Sequence, residues 1–187
     1  MDAIVVVTPP TGLPVSLDEA KAHLRVDHAD DDTLITALIE TARSWLTPPA
    51  GWLGRSVVQQ GLRLDRPEWP LRPLPLPCGP IADDAVTAVT YFDTANATQT
   101  VNPSLYFVDG GALVFTSAFT YPGLYCRPGA VRIAYTAGYA TNALPAAIKQ
   151  AILIMVKDWY DAPGGAPAAG DPPPPAQELL APFRLYA

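Results

Sequence analysis

One short segment of the sequence gathers side chains that could bind a metal ion. Its members are His23, Asp27, His28, Asp30, Asp31 and Asp32. A calcium-binding loop needs acidic or amide side chains at alternating positions and a glycine at its sharp turn, and this segment has neither feature. The two histidines lie five residues apart, so they do not share a helix face as an i, i+4 pair would. The pattern therefore favours helix capping and a solvated turn over a metal site.

The rest of the sequence offers no arrangement typical of catalysis or of cofactor binding. Gly110-Gly111 and Gly164-Gly165 lack the lysine and the helix start that a phosphate-binding loop needs. No Gly-x-Ser-x-Gly elbow is present, and a Ser–His–Asp site could be built only from His23 or His28. We therefore predict that the protein is not an enzyme and uses neither a metal nor a cofactor; a small enzyme is the least favoured alternative.

Aromatic side chains fall in or beside the strands predicted for the middle of the chain. They are Tyr91, Phe92, Tyr106, Phe107, Phe115, Phe119, Tyr121, Tyr125, Tyr135 and Tyr139. Such residues could form a stacking platform in a β-rich module that binds carbohydrate or peptide. More often they fill the core and edges of a sheet, and few basic residues lie among them to support nucleic-acid binding. Core packing is the favoured interpretation, and the binding module is an alternative.

The composition favours a folded chain that buries surface against other proteins. Hydrophobic residues make up 49% of the 187 residues and charged residues only 16%, which excludes general disorder and leaves little charged surface to cover a monomer. The net charge is −6, and an acidic chain is not expected to hold nucleic acid, because such binding depends on Lys and Arg contacts to phosphates. At this length we expect one domain, with room for an inserted unit.

Cysteine use and hydropathy indicate the compartment. Cys78 and Cys126 lie close to Pro or Gly, and we expect them to be free thiols in a reducing compartment, with a single disulfide as the lesser alternative. No apolar run approaches the roughly 20 residues that span a bilayer, and the N-terminal residues lack the basic start of a signal peptide. We expect a protein that makes no contact with a membrane and is assembled in the cytoplasm.

The first third of the chain predicts two helices. Ser16 and Glu19 form a capping box that opens a helix running to about Arg25. The run Asp30-Asp31-Asp32 then places carboxylates at the start of a second helix, where the helix dipole favours negative charge, and Pro48-Pro49 ends it. One apolar stripe is predicted for this helix: Leu34, Ile35, Leu38, Ile39, Ala42, Trp45 and Leu46.

The middle of the chain predicts a small antiparallel β unit. Apolar and polar residues alternate from Val58 to Leu64, as in a half-buried strand. Further strands are predicted at Val86–Phe92, Thr98–Val101, Leu105–Val108, Ala112–Phe115 and Val131–Tyr135, with a hairpin turn at Asp109-Gly110-Gly111. Pro67–Pro80 can form only loop, edge strand or polyproline structure, and Ile4–Val7 is a short buried strand or an extended arm.

The C-terminal third predicts a long helix, a linker and a docking segment. The helix begins near Pro145 and ends near Tyr160, and Ala151–Val156 is six consecutive apolar residues, so more than one of its sides must be buried. We expect the first two helices on one side and a neighbouring subunit on another. The apolar tail at 177–186 docks either on its own domain or on a partner, and the sequence leaves the two open.

These elements define an α+β fold class. Two N-terminal helices and the long C-terminal helix form a helical core at 1–56 and 142–162, with the antiparallel β unit inserted at 57–141 and a Pro-rich linker and docking tail at 163–187. The whole of 1–187 is expected to form a single domain.

Three sequence blocks stand in a particular order along nearly the whole chain. They are Val15–Asp27 with Asp31–Ile35 and the helix to Leu46; Val131–Tyr139; and Leu144–Leu153 with Trp159-Tyr160 and Leu179–Arg184. Together they resemble the head–tail connector (adaptor) family of tailed bacteriophages, which is shared with phage-like gene transfer agents. The chain departs from that family in the proline-rich residues 163–175 and in Pro48–Trp52, and these departures concern the local interface.

The resemblance implies a structural role at the neck of a virion. Members of this family form a ring of identical subunits, commonly dodecameric, between the capsid portal and the neck or tail proteins (stopper or tail terminator), and DNA passes through the ring. The implied location is the head–tail interface, after assembly in the bacterial host cytoplasm. A neck stopper or tail-terminator protein is the alternative within the structural class, although such a protein would usually be more purely β.

The predicted contact residues for the ring and its partners lie on the long C-terminal helix and on the tail. They are Ile148, Ile152, Leu153, Met155, Val156, Trp159, Tyr160, Leu179, Leu180, Phe183, Arg184 and Tyr186.

Overall fold

The structure is a computed structural model, and it describes residues 2–48, 51–140, 143–162 and 172–185 of the 187-residue chain. The chain divides into two units. Residues 1–10 and 59–138 make a β unit, and residues 11–58 and 139–187 make a helical unit. The α+β class predicted from the sequence is confirmed.

Two antiparallel sheets make the β unit. The larger sheet has the strand order β1-β2-β8-β4-β5, formed by Ala3–Thr8, Gln60–Arg66, Val131–Ala137, Val86–Phe92 and Thr98–Thr100. The smaller sheet has the order β3-β7-β6, formed by Leu74–Pro75, Ala112–Phe115 and Tyr106–Asp109. The short strand β3 is the part of the proline-rich segment that pairs, and it lies at a sheet edge, where a missing backbone N–H is tolerated.

Alternation along the central strands sets which face of the larger sheet is buried. Leu62 and Leu64 of β2 lie opposite Tyr135 and Ile133 of β8, and all four side chains are buried in one core. Side chains on a strand point alternately to the two faces, so the residues between them lie on the other, half-exposed face.

The hairpin predicted at Asp109-Gly110-Gly111 is present. Asp109 pairs with Ala112, and the two residues between them, Gly110 and Gly111, have φ values of +55° and +79°. Two consecutive residues in the left-handed region make the tight turn whose twist suits the flanking strands, and glycine adopts it without steric cost.

The N-terminal strand belongs to the β unit and not to the helical core. Strand β1 pairs with β2, with Ile4 opposite Leu64 and Val6 opposite Leu62, and Ile4 and Val6 pack against the β core. The predicted boundary that kept 1–56 together in the helical core therefore differs from the structure in its first ten residues. An extended segment needs partners for its backbone groups, and a sheet edge supplies them.

The helical unit has a shared hydrophobic core, and its described residues form four α-helices. They are α1 (Leu17–Leu24), α2 (Asp32–Leu46), α3 (Ala146–Asp161) and α4 (Pro174–Leu180). The fourth helix falls inside the segment that the sequence predicted as linker and tail. Within the described residues, no helix is both long and apolar enough to cross a membrane.

The apolar stripe of α2 is narrower than predicted. Ile35, Ile39, Ala42 and Leu46 are fully buried, at spacings of four, three and four residues that keep them on one side of the helix. Leu34 lies next to this row and is 49% exposed, so its predicted place in the stripe was wrong.

The predicted capping box begins α1. The Ser16 hydroxyl accepts a hydrogen bond from the Glu19 backbone N–H at 3.1 Å, and the Glu19 carboxylate accepts one from the Ser16 backbone N–H at 2.8 Å. At the other end, Arg25 adopts a left-handed conformation and its N–H bonds back to the helix. Both ends of this short helix are thus closed by specific hydrogen bonds.

Replacing Ser16 by alanine is expected to lower the free energy of unfolding of the helical unit by about 1 kcal/mol, since one helix N–H loses its acceptor. Urea unfolding followed by circular dichroism measures the change. Ser117→Ala, the same substitution at an exposed turn position, is the control and is expected to have almost no effect. An equal loss in the two variants would contradict the cap's contribution.

The same box makes stability depend on pH. The Ser16 backbone N–H, with further help from Lys149, holds the pKa of Glu19 below its ordinary value. A carboxyl whose pKa is lowered on folding adds stability above its unfolded pKa, and this stability is lost as the pH falls through the folded value. Glu19→Gln should therefore lower the stability at neutral pH. It should also reduce the loss of stability that wild type shows as the pH falls below the ordinary pKa of Glu19. Urea unfolding at a series of pH values measures both effects.

Candidate assembly surface on α3 and the C-terminal segment

Helix α3 carries most of the predicted contact residues, and one side of it is already covered by its own unit. Ile148, Ile152, Met155 and Val156 are buried in the core of the helical unit. Leu180 of the C-terminal segment is fully buried in the same core. These five side chains form the interior of the unit, so in this conformation they offer no surface to another protein.

The other predicted contact residues remain partly exposed. They are Leu153, Trp159, Tyr160, Leu179, Phe183 and Arg184, and we call them the α3–tail surface. The hydrophobic members pack against the edge of the core while part of each side chain faces outward. Helices α3 and α4 pack on each other, which brings the members on α3 and the members on the C-terminal segment to one part of the unit. Tyr186, also predicted, lies outside the described residues.

Polar contacts fix α3 at both ends. Near its start, Lys149 Nζ lies 3.2 Å from Glu19 Oε1 of the α1 capping box. Near its end, the Tyr160 hydroxyl donates a hydrogen bond of 2.6 Å to Asp31 Oδ2, at the N-terminus of α2. This hydrogen bond to a carboxylate raises the pKa of Tyr160. The outward side of α3 is therefore held in a fixed position by the helices beneath it.

A second contact joins the C-terminal segment to the end of α2. The rings of Trp45 and Trp52 stack with centroids 6.4 Å apart, and the Arg184 guanidinium lies 4.1 Å from the Trp52 ring centre. A cation over an aromatic face is attracted by the ring quadrupole. Trp52 was not predicted as a contact residue. The one signal for it was the segment Pro48–Trp52, in which the sequence departs from the family it resembles.

The C-terminal segment docks on its own unit. The Leu185 N–H donates a hydrogen bond of 3.0 Å to the Leu53 carbonyl, and Ala176 and Leu180 are fully buried. Gly54, at φ +67°, allows this approach, because a Cβ there would lie 2.5 Å from the Leu185 carbonyl oxygen. Of the two possibilities that the sequence left open for the tail, docking on its own domain is the one found for residues 172–185.

The histidine and aspartate cluster forms ordinary helix-end contacts. Lys21 Nζ lies 2.6 Å from Asp32 Oδ1, and His28 lies 3.9 Å from Asp30 and 3.8 Å from Asp31. Among the residues that the structure describes, no group of three or more His, Cys, Asp or Glu side chains is arranged to hold a metal ion. At the start of α2, the Asp32 carboxylate forms an ion pair with Lys21 and the Asp31 carboxylate accepts the hydrogen bond from Tyr160.

The aromatic residues of the β unit pack mainly against one another. Trp69 lies at its centre, with ring centroids 5.2 Å from Tyr91 and from Phe119 and 5.7 Å from Phe115. The Trp69 indole N–H donates a hydrogen bond of 2.9 Å to the Pro122 carbonyl. The favoured prediction of core packing is confirmed for Tyr91, Phe115 and Phe119, which belong to the β core or pack against it. Phe107, Tyr121 and Tyr125 are exposed, so the prediction was wrong for these three side chains.

The two cysteines are free, as predicted, and differ in accessibility. Cys78 is buried, and burial raises its pKa to about 11, whereas Cys126 is exposed. Only a thiolate is nucleophilic, so iodoacetamide at about pH 8 should label Cys126 readily and Cys78 hardly at all in the folded protein. Mass spectrometry of the intact chain should show one added group, and none after Cys126→Ser. Labelling of both thiols at similar rates would contradict this.

Comparison with known proteins gives one family and one fold. Residues 14–65 match the model of a family described as phage gp6-like head-tail connector protein. This segment contains α1, α2 and all of strand β2 except its last residue, Arg66. No curated protein matches the chain.

Three similar solved structures come from gene transfer agent (GTA) particles. A chain in the neck of an empty GTA particle, computed with C6 symmetry, has a TM-score of 0.74 and 21% identity, covering 99% of this chain and 96% of its own length. A chain in the virion of a native GTA particle has a TM-score of 0.76 and 22% identity, with 98% and 96% covered. A chain in the neck of a native GTA particle, computed with C12 symmetry, has a TM-score of 0.66 and 23% identity, with 100% and 96% covered. The resemblance predicted from the sequence is confirmed.

Proposed function

We propose that this chain is a structural head–tail connector subunit, located in the neck of a tailed phage or phage-like particle. The match of residues 14–65 to the connector family is the observation that carries this proposal. The similarity of fold over nearly the whole chain to proteins in GTA necks supports it. The role is mechanical and requires no catalytic group.

In the proposed assembly, identical copies form a ring between the portal and the next neck or tail component. The C6 and C12 symmetries of the similar neck structures support a ring, and we propose twelve copies. Assembly takes place in the host cytoplasm, before the particle is complete. A stopper or tail terminator follows below the ring, and the portal lies above it.

DNA passes through this ring without being held. The chain has 18 acidic and 12 basic residues, so its net charge of −6 disfavours tight binding to phosphates. Weak phosphate affinity suits a channel through which DNA must slide.

The α3–tail surface, which belongs to the helical unit, is the proposed contact with either the neighbouring subunit of the ring or the portal. Its half-buried side chains, among them Trp159 and Phe183, are held in position from beneath by the core. Aromatic residues of this kind, with an Arg beside them, are enriched at protein interfaces. Tyr186 completes the proposed set.

The test is to mix the purified chain with the portal protein of its particle. Native mass spectrometry and electron-microscopy class averages should show rings of the chain bound to portal, whether or not the chain alone is monomeric. Monomers only, with and without portal, would count against the proposal. Binding to an existing portal–connector complex but not to portal alone would instead indicate a stopper.

A further inference from the structure

Two arginines converge on one aromatic ring at the end of strand β4. The guanidinium carbons of Arg127 and Arg132 lie 4.0 and 4.8 Å from the centre of the Phe92 ring. The Phe92 N–H bonds to the Ala130 carbonyl, and the Tyr125 N–H bonds to the Phe92 carbonyl. These backbone bonds fold the 125–130 segment around the ring. The positions of both cations are therefore fixed by the sheet.

Two carboxylates near this arginine pair, one in sequence and one across the sheet, are already engaged. Asp65 lies across the β2–β8 pair from Arg132, but Arg63 binds both its oxygens, at 2.6 and 2.9 Å. Asp93 accepts three hydrogen bonds within its own turn, and these, led by the one from Gln99, lower its pKa. Within the described residues, neither arginine of the pair forms an ion pair.

The arginine pair keeps hydrogen-bond donors to spare. Arg127 donates one bond, of 3.3 Å, to Asn96 Oδ1. The Nε of Arg132 is buried, so a carboxylate of another copy must bind this arginine through its terminal NH2 groups. A guanidinium carries five N–H donors in a fork that fits a carboxylate. Both arginines are half-buried, and a partly shielded cation attracts an anion more strongly than one in open water.

A complementary acidic pair lies at the other end of the same strand. Asp83 and Asp84 are exposed, precede the first residue of β4 by three and two positions, and form no ion pair in the described part of the chain. Strand β4 has seven residues, so the two patches are about 20 Å apart, at 3.3 Å for each residue. The acidic and the basic pair of one copy therefore cannot bind each other.

We propose that the arginine pair of one copy binds Asp83 and Asp84 of the next copy around the ring. The inference rests on the proposed function, because it assumes a closed ring. A ring closes through two different surfaces on each subunit that complement one another, and these two patches have that relation. Charge favours a second copy as the occupant over DNA, since a chain with a net charge of −6 supplies carboxylates and repels phosphates.

Charge reversal on either side tests the contact. The variant with a changed acidic pair, called the acid variant, carries Asp83→Lys and Asp84→Lys and places cations opposite the arginine pair of the next copy. The variant with a changed arginine pair, called the base variant, carries Arg127→Glu and Arg132→Glu and places carboxylates opposite Asp83 and Asp84. Like charges in contact oppose association, so each variant alone should form rings on portal at roughly a tenth of the wild-type yield or less. Arg72→Glu, at an exposed position, is a control that changes charge outside the two patches.

Mixing the two variants supplies the decisive arm. In an alternating ring of acid and base variants, every junction again joins a cation to a carboxylate. The mixture should therefore recover rings, counted in electron micrographs, although neither variant forms them alone. Thermal unfolding of each variant shows that it is folded. If the half-buried Arg132→Glu change prevents folding, Arg127→Glu alone replaces it.

The exposed thiol beside Arg127 offers an independent measurement. In Asp84→Cys, a short bismaleimide, which adds one thiol at each end, should link the new thiol to Cys126 of the neighbouring copy in the assembled ring and give a ladder of linked subunits on a denaturing gel. Within one copy the two patches lie about 20 Å apart, beyond the reach of a short linker. The double variant Asp84→Cys/Cys126→Ser should give no ladder.

The outcomes separate this inference from the proposed function. Wild-type rings on portal, together with normal rings from either charge variant, would overturn the contact and leave the connector role intact. Failure of the mixture to recover rings from two folded variants would also overturn the contact. Loss of DNA binding by the base variant, with ring assembly unchanged, would overturn it too. Absence of wild-type rings would overturn both.

Discussion

Replacing Leu180 by alanine is expected to lower the free energy of unfolding of the helical unit by about 3 kcal/mol. The side chain is fully buried in the core that α2 and α3 share, so truncation removes apolar contacts and leaves a cavity. Urea unfolding followed by tryptophan fluorescence is the measurement, because Trp45, Trp52 and Trp159 all belong to this unit.

Leu179→Ala is the matched control for this substitution. Leu179 is the adjacent residue on α4 and is only half-buried, so its truncation should cost about 1 kcal/mol. Equal effects at the two positions would contradict the packing of α4 described above. A chain ending at residue 173 should lose at least as much stability as Leu180→Ala, because Ala176 and Leu180 both leave the core.

Replacing Gly54 by alanine is expected to cost roughly 2–4 kcal/mol and to release the C-terminal residues from the helical unit. Two effects add at this position. The backbone has φ +67°, which a side chain disfavours, and the new Cβ would lie 2.5 Å from the Leu185 carbonyl oxygen. Since that oxygen belongs to the backbone, the segment around Leu185 must move.

Gly110→Ala separates the two effects. Gly110 has φ +55°, but no atom lies within 4 Å of the position of its Cβ, so alanine there meets only the backbone strain of about 1–2 kcal/mol. Hydrogen exchange of the Leu185 amide, which bonds to the Leu53 carbonyl, should accelerate in Gly54→Ala and stay unchanged in Gly110→Ala. Unchanged exchange in both variants would show that the segment tolerates a side chain at residue 54.

Local patterns predicted the elements of this protein well. The capping box at Ser16, the hairpin at Gly110-Gly111 and the alternation of Leu62 and Leu64 each depend on residues within a few positions of one another. Helix α4 was missed because Pro172–Pro175 indicated a linker. Proline is tolerated in the first turn of a helix, where its missing N–H needs no partner, and α4 begins at Pro174.

Contacts between distant parts of the chain could not be predicted in the same way. Trp52 and Arg184 meet only because the C-terminal segment folds back on the end of α2. Arg127 and Arg132 share the Phe92 ring only after β4 and β8 have paired. For the same reason the sequence named Ile152 and Leu180 as contact residues for a partner, since an apolar pattern does not distinguish a core from an interface.

The division of the chain into 1–10 with 59–138, and 11–58 with 139–187, has a consequence during synthesis. All residues of the β unit are synthesised before α3 begins, so this unit is the first whose strands are all present in the chain. Helix α2 must wait for α3 with Ile35 and Ile39 uncovered. At about 5–20 residues per second, the 49 residues of 139–187 take several seconds to be synthesised. During that interval the side of α2 that Ile35 and Ile39 line lacks α3 as its partner, so the nascent chain is then most prone to aggregate.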